Sequence, residues 1–493
     1  MIDNVSRKMI TFFKSDLGVR FVAEGVVRSN AFILTPLLSW SLGAVVFGSY
    51  LQIMSLAFAF VPLVSAGLGF TVIRKLAGRT DSSDAPNLLL TAIGIVSFLC
   101  LSLMLILAFT AENVLIFLSL NTILAPSWLT IVVPSLAWIF AVEALIGEYM
   151  RAMIKARLSL YIQIVSFALQ MAFLGVVLTF DKLSLGSTLL SIAAAKVVVI
   201  AYLLIPILIR IKKHSTKNKS SLLQVALSGL PFMLAGLAEW AGNLGDRLIV
   251  GRFLGPEAVA HYGASIMILS VLAALGAPIW WLLFPTVSAH VRNGETEHCR
   301  VTVRQRTMLF TELALPILAL AILVVNPAVS LLLNSPVSNM TAVILLAGCA
   351  ILISQMTTGW EYYLVCVSSG KRLMTASVIC SLLSFGSAWQ LAPSWGLVGV
   401  ASGMLIGKAT LGLFFAISAN RNGFEGCAWP MRSFVTLVTV NGITAITTYF
   451  FAHQILTISS LFYQIAFSAV IFAATYGAIR FLLTPVLQRL NAQ

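Results

Sequence analysis

Apolar residues come in long blocks along this chain, broken by short polar stretches. The blocks lie at 18–42, 44–70, 88–110, 122–148, 158–180, 185–209, 222–249, 258–286, 307–333, 341–365, 373–392, 396–419, 433–452 and 460–483. Each is about 20 residues or more, the length a helix needs to cross the hydrocarbon core of a bilayer. Strands of a barrel would be about half as long and would alternate apolar with polar positions. The pattern predicts an all-α polytopic membrane protein with fourteen transmembrane helices. Pro36, Pro62, Pro134, Pro231, Pro278 and Pro316 fall inside blocks and predict kinks or unwound turns.

The first block carries charge in an unexpected place. Arg20, Glu24 and Arg28 follow at intervals of four, so they share one helical face. Arg28 lies about 15 Å in from Gly18, near the bilayer midplane. An arginine at that depth costs several kcal/mol against lipid, so this face should look into a polar interior. Val22, Val26, Ile33 and Leu37 form the apolar face. Two readings fit: a helix lining a polar, net-positive cavity, or an ion-pair ladder that joins helices. The cavity is the preferred reading.

Composition adds the class, and the positions of the charges add the orientation. With 59% hydrophobic and 10% charged residues over 493 positions, the apolar content exceeds what a soluble core absorbs. The net charge of +14 has a positional explanation. With the N-terminus in the cytoplasm, 24 of the 31 lysines and arginines fall in cytoplasmic segments. Three (Lys182, Arg247, Arg252) fall outside and four (Arg20, Arg28, Lys196, Lys408) lie within the membrane. That asymmetry places both termini in the cytoplasm and leaves nothing for nucleic acid to bind. The longest loops, 210–221 and 287–306, are too short to fold as domains, so function belongs inside the membrane. The six cysteines (Cys100, Cys299, Cys349, Cys366, Cys380, Cys427) have no CxxC pair and no histidine at metal spacing. They predict neither a disulfide framework nor a metal centre. Met1 to Lys14 is short and polar, and the run behind it is too long and charged for a signal peptide, so the first helix should be retained.

The chain repeats at an offset of 212. Leu42, Gly43 and Tyr50 match Leu254, Gly255 and Tyr262; Ser187, Ser191, Ala195 and Lys196 match Gly399, Gly403, Gly407 and Lys408. Glu148 and Tyr149 match Glu361 and Tyr362 with a one-residue slip. Six helices thus repeat as six, with two more at the C-terminus. The expected domains are a six-helix bundle over 1–209, a basic cytoplasmic linker at 210–221, a second bundle over 222–420 and a helix pair over 421–493. An even number of helices inserts both halves the same way up, a parallel repeat about an axis along the membrane normal. Two such bundles would enclose a central cavity that opens to alternate sides.

Lys196 and Lys408 each sit mid-block beside a small-xxx-small face that admits close helix approach. Either they present positive charge to an anionic substrate, or each pairs with a carboxylate, Glu143 or Glu148 in the case of Lys196. Gly396, Gly399, Gly403 and Gly407 read as packing glycines. The block 222–249 occupies the repeat position of the first and carries Glu239, Asn243, Asp246 and Arg247, partly on one face. Glu24, Glu239 and Asp246 are candidates for proton or sodium coupling, Glu239 being the deeper carboxylate of its block. The alternative is neutralised pairs, Glu24 with Arg20 and Arg28, Asp246 with Arg247. Glu143, Glu148, Arg151 and Lys155 read as ordinary surface pairs, and Trp280 and Trp281 as core or interface aromatics. The run Gly403 to Ala409 resembles a phosphate loop but is one spacer short and lacks the hydroxyl after its lysine. No nucleotide, cofactor or metal is expected.

The stretch Gly245-Asp246-Arg247-Leu248-Ile249-Val250-Gly251-Arg252-Phe253-Leu254-Gly255, followed by Ala260-His261-Tyr262-Gly263, resembles the start of the second half in Wzx-type flippases. The layout of six, six and two helices is similar to theirs, within the multidrug/oligosaccharidyl-lipid/polysaccharide exporter superfamily. The resemblance implies two V-shaped bundles and alternating access. It implies transfer of an undecaprenyl-pyrophosphate-linked oligosaccharide, such as an O-antigen unit, from the cytoplasmic to the periplasmic leaflet of a bacterial inner membrane. A proton or sodium gradient would drive it, and a polysaccharide polymerase and chain-length regulator would work beside it. Arg20, Arg28, Lys196, Lys408 and Arg247 would then meet the substrate, because a pyrophosphate attracts arginine forks and ammonium groups. A multidrug or cation antiporter of the related branch favours carboxylates in its cavity and has twelve helices. A membrane polysaccharide polymerase needs a sizeable outer loop, which this chain lacks.

Overall fold

The computed structural model describes residues 32–76, 85–120, 125–152, 156–180, 183–213, 222–368, 370–424, 431–455 and 461–491. Arg20, Glu24 and Arg28 lie outside the described residues, as do Lys182 and Cys427. The expected all-α class is what the chain adopts. The helices are α1 (Phe32–Leu42), α2 (Ala44–Ser65), α3 (Leu68–Leu76), α4 (Ala85–Phe117) and α5 (Val133–Ala152). There follow α6 (Ala156–Thr179), α7 (Leu185–Lys213), α8 (Leu222–Asn243), α9 (Asp246–Leu254), α10 (Pro256–Arg292) and α11 (Thr296–Leu333). The remainder are α12 (Thr341–Met356), α13 (Thr358–Val367), α14 (Gly370–Arg421), α15 (Met431–Ile455) and α16 (Leu461–Asn491). Among the described residues nine helices are long and apolar enough to cross a membrane, and three shorter ones are apolar.

Several blocks are interrupted where local chemistry demands it. A π turn, Trp128–Val132, opens α5 beside Pro134, whose missing N–H removes a ladder hydrogen bond. The block 44–70 breaks at Ala66 (φ 45°) and Gly67 (φ 66°) into α2 and α3. Gly67 is required twice over: its φ is left-handed, and a Cβ there would lie 2.2 Å from the Gly229 carbonyl oxygen. The blocks 373–392 and 396–419 are the two arms of α14, which reverses at Gly396 (φ 57°, ψ −136°). Across that reversal Gly399, Gly403 and Gly407 lie against Leu391, Ala388 and Ser384, the packing role expected of them.

The repeat is visible in the backbone. Gly43 (φ 83°, ψ 163°) stands immediately before α2, and Gly255 (φ 86°, ψ 171°) immediately before α10. Two glycines 212 residues apart thus make the same break in a conformation that side chains with a Cβ resist. Tyr50 and Tyr262, seven residues further on in each case, are both buried.

The packing forms two compact units. The described residues up to Leu34, with Ser41–Ala260, make the first; Thr35–Trp40, with those from His261 onward, make the second. Residues 222–260 therefore pack in the first unit, although covalent order assigns them to the second six-helix repeat. The cause is close backbone approach: Gly229 lies against the carbonyl of Ala66, and Gly236 against Pro62. Ser55 Oγ donates to the Leu244 carbonyl at 2.6 Å and Trp240 Nε1 to the Ser55 carbonyl at 2.8 Å. In the second unit, Ser39 Oγ and Trp40 Nε1 of α1 donate to the carbonyls of Leu333 and Leu331 at 2.9 and 3.0 Å. Trp280 is a core aromatic there, donating to Gln355 Oε1 at 2.8 Å and tilted against Phe310.

Candidate functional site

Inside the first unit, α2, α5, α6 and α7 leave a cavity of about 690 Å³. Its polar wall comes from three helices that are otherwise apolar. Helix α7 contributes Lys196, α5 contributes Glu143 and Glu148, and α6 contributes Gln163, Ser166 and Gln170. Lys196 Nζ donates to Glu143 Oε2 at 2.5 Å, and the two side chains are 18% and 27% exposed. The same ammonium stands 5.4 Å above the centre of the Phe140 ring, which stacks on Phe58 at 4.7 Å. A carboxylate on one side and a ring face on another hold this cation in place.

The pairing resolves one open reading and overturns part of another. Lys196 does have a carboxylate partner, and of the two proposed it is Glu143. Glu143 pairs across to α7 rather than within its own helix, and both Glu143 and Glu148 line the cavity; of that expected surface group, Lys155 and the side chain of Arg151 lie outside the described residues. Of the expected substrate contacts, Lys196 is at this cavity. Lys408 is half-buried on the second arm of α14, in the second unit. Arg247 is the second residue of α9; its backbone N–H donates to Asp246 Oδ1 at 2.8 Å, while Nη1 stands 4.0 Å from that oxygen. Arg247 Nη1 is buried and has no hydrogen-bond partner among the described residues. Asp246 and Arg247 thus neighbour one another, as the alternative reading had it. Glu239, on α8 in the first unit, has an exposed side chain. Helix α6 adds an amide and hydroxyl row, Gln163, Ser166 and Gln170 at spacings of three and four, which the hydropathy pattern does not single out.

Among the described residues no group of three histidine, cysteine or acidic side chains is placed to hold a metal. Cys100, Cys299, Cys349, Cys366 and Cys380 are free thiols.

The turn between α10 and α11 carries a second polar cluster. His290 Nδ1 lies 2.7 Å from Glu295 Oε2, and the His290 and His298 rings stack at 6.1 Å. The hydrogen bond with His290 holds the Glu295 carboxyl below its ordinary range, against desolvation; charge on His290 and His298 and a bond from Asn293 add to it. A depressed folded value means that this contribution is complete above the ordinary carboxylate range and is lost as pH falls through the depressed value. Amide exchange over 296–300, corrected for intrinsic rates, should therefore show local opening becoming easier as pH falls through that window. His290→Gln should flatten the dependence; an identical pH profile in both proteins would refute the link.

A family profile described as polysaccharide biosynthesis protein matches residues 14–290, more than half of the chain. The chain belongs to the polysaccharide biosynthesis protein family. No curated protein matches it. Among solved structures, this family member is similar to a lipid II flippase MurJ in an inward closed conformation, with a TM-score of 0.70 at 13% identity. That match covers 94% of this chain and 100% of the other. An inward-facing multidrug resistance MATE family transporter of the MOP superfamily matches with a TM-score of 0.57 at 14% identity, over 84% of this chain and 96% of the other. A MOP superfamily transporter from Pyrococcus furiosus, described by a reversed polarity of its binding pocket, matches at 0.53 and 13%, over 83% and 96%. The family member is thus a multi-pass membrane protein with a MurJ- and MATE-like fold.

Proposed function

We propose that the chain is a flippase moving an undecaprenyl-pyrophosphate-linked oligosaccharide, such as an O-antigen unit, from the cytoplasmic to the periplasmic leaflet of a bacterial inner membrane. The observation that carries this reading is the polysaccharide biosynthesis family match, on a fold shared end to end with a lipid II flippase. The chain acts by alternating access and is not an enzyme. A proton or sodium gradient drives it, with Glu24, Glu239 and Asp246 as the coupling carboxylates. Arg20, Arg28 and Arg247, with Lys196 and Lys408, neutralise the pyrophosphate as it crosses. A polysaccharide polymerase and chain-length regulator receive the product. A cation exporter of the related branch would need its cavity carboxylates open to the substrate, whereas Glu143 is already held by Lys196 at 2.5 Å.

The test is complementation of bacteria that lack their own O-unit flippase. The wild-type chain should restore surface polysaccharide. Arg28→Ala should lower it at least about tenfold at normal abundance, the loss of a charge-assisted contact in a low-dielectric site, and Arg28→Lys should recover part of it. Normal function of Arg28→Ala would make that face a helix-joining ladder. Failure of the wild type in several serotype backgrounds would remove the flippase reading itself.

A further inference from the structure

We propose that the end of the second unit where α10, α11, α13 and α14 meet is a docking face for the phosphate groups of anionic phospholipids. These helix ends are tied together. His290 of α10 lies 2.7 Å from the carboxylate of Glu295, immediately before α11. Val303 of α11 packs so closely on Gly359 of α13 that a Cβ there would stand 2.5 Å from Val303 Cγ1. The Tyr363 hydroxyl of α13 donates to the Asn422 carbonyl at 2.8 Å, and its ring stacks on Phe424 at 4.2 Å, just beyond α14. Cys299, Val303, Tyr363 and Phe424 are buried in this platform.

What the platform leaves outside is basic. Arg292, Arg304, Arg306, Lys371, Arg372 and Arg421 are exposed, and among the described residues their side chains have no hydrogen-bond or ion-pair partner. The nearby acids are taken, Glu295 by His290 and Glu297 by Arg300 at 2.6 Å. Glu312 and Glu361 are half-buried and engaged within the chain. Glu425 and the side chain of Arg432 lie outside the described residues and carry opposite charges. The side chains of 478–493 lie outside them too, and that stretch holds Arg480 and Arg489 and no acid. Over 292–306, 371–372 and 421–432 the sequence has eight basic and three acidic residues, an excess of five positive charges.

Two of these cations stand at the height of lipid phosphates. Leu309 and Leu313 on α11, and Leu413 and Ile417 on α14, are exposed apolar side chains, the surface that meets hydrocarbon. Arg306 lies three residues, about 4.5 Å, before Leu309, and Arg421 lies four residues, about 6 Å, after Ile417. The headgroup layer is about 5–7 Å thick on each side of the hydrocarbon, so both guanidinium groups reach it. There each offers a phosphate its fork of N–H donors. Arg304 and Arg372 continue the patch outward, within the field of an anionic surface. A topology signal acts while the chain inserts. Unpaired arginines held at phosphate height on a packed platform act in the folded protein.

The experiment titrates the full chain, in a neutral detergent, with short-chain phosphatidylglycerol or phosphatidylcholine. The thermal midpoint reports binding, and native mass spectrometry counts the lipids retained. The wild type should gain a saturable rise in midpoint from phosphatidylglycerol and retain it in preference to phosphatidylcholine. Arg306→Gln together with Arg421→Gln should weaken that binding about thirtyfold, roughly fivefold for each arginine. Its midpoint without lipid should match the wild type, because neither side chain has a partner to lose. Each single glutamine variant should show its own fivefold loss, so a pair that folds poorly still leaves a reading. Arg306→Lys with Arg421→Lys should recover most of the affinity, since the charge remains. A wild type indifferent to lipid charge, or glutamine variants with full affinity, would reduce these arginines to a topology signal and overturn the proposal. Inorganic phosphate that stabilises the wild type as fully as phosphatidylglycerol would overturn it in favour of a soluble anion.

Discussion

Lys196→Met should destabilise the first unit by about 3 kcal/mol, the low end for stranding one partner of a buried ion pair. The low end applies because both side chains keep some solvent contact, at 18% and 27% exposure. What remains is Glu143, a carboxylate inside a membrane bundle whose ammonium at 2.5 Å has gone. The double change Lys196→Met with Glu143→Gln should recover most of the loss, since no uncompensated charge is left and both replacements are close in volume. The coupling, read from a thermal or denaturant cycle in detergent, should reach about 1–3 kcal/mol, and strictly additive losses would sink the idea. Transport by the double variant then separates the two roles of Lys196. If it folds and exports polysaccharide, the pair joins α5 to α7 and nothing more. If it folds and exports nothing, the ammonium itself acts on the substrate.

The ease with which the fold reads from the sequence has a physical origin. A bilayer fixes helix length, so apolar blocks mark the helices almost by counting. The offset of 212 was legible because the same backbone break recurs, and Gly43 and Gly255 make it with nearly equal angles. The breaks after Ser65 and Asn243 were less legible, because membrane helices tolerate the small residues that mark them. The packing of α8 in the first unit depends on Gly229 meeting the turn at Ala66 and Gly67, more than 150 positions away in sequence. The basic stretch 210–221 reads as a boundary in the sequence, although α7 runs on to Lys213, and that contact ignores it. The site divides similarly. A charge in an apolar block announces itself, so Lys196 and its choice of Glu143 or Glu148 were evident. Gln163, Ser166 and Gln170 were not, because uncharged polar groups barely disturb the hydropathy of a block. Glu239 shows the remaining gap: its place in the block speaks of depth, and only packing speaks of exposure.

Gly403→Ala should cost the second unit about 2–3 kcal/mol, a large penalty for one methyl group. The arms of α14 meet there closely enough that a Cβ on Gly403 would stand 2.5 Å from the Ala388 nitrogen and 2.6 Å from its Cα and Cβ. Two of those three atoms are backbone, so no rotamer change relieves the clash and the arms must separate. Separation also disturbs Gly399 against Leu391 and Gly407 against Ser384, one turn away on either side. Ala388→Gly should therefore rescue less than half of the loss, because it removes one of the three clashing atoms. Gly386→Ala on the same helix is the control: nothing lies within 4 Å of its added methyl. It should be neutral or stabilising by up to about 1 kcal/mol through helix propensity. The measurement is the thermal midpoint together with the monodisperse fraction, and equal behaviour of Gly403→Ala and Gly386→Ala would refute the seam. The seam also sets the rotation of the arm that carries Lys408, next in sequence to Gly407. A variant that survives with the arms pushed apart should then lose transport further than its stability alone accounts for, because the lysine no longer points where the fold had fixed it.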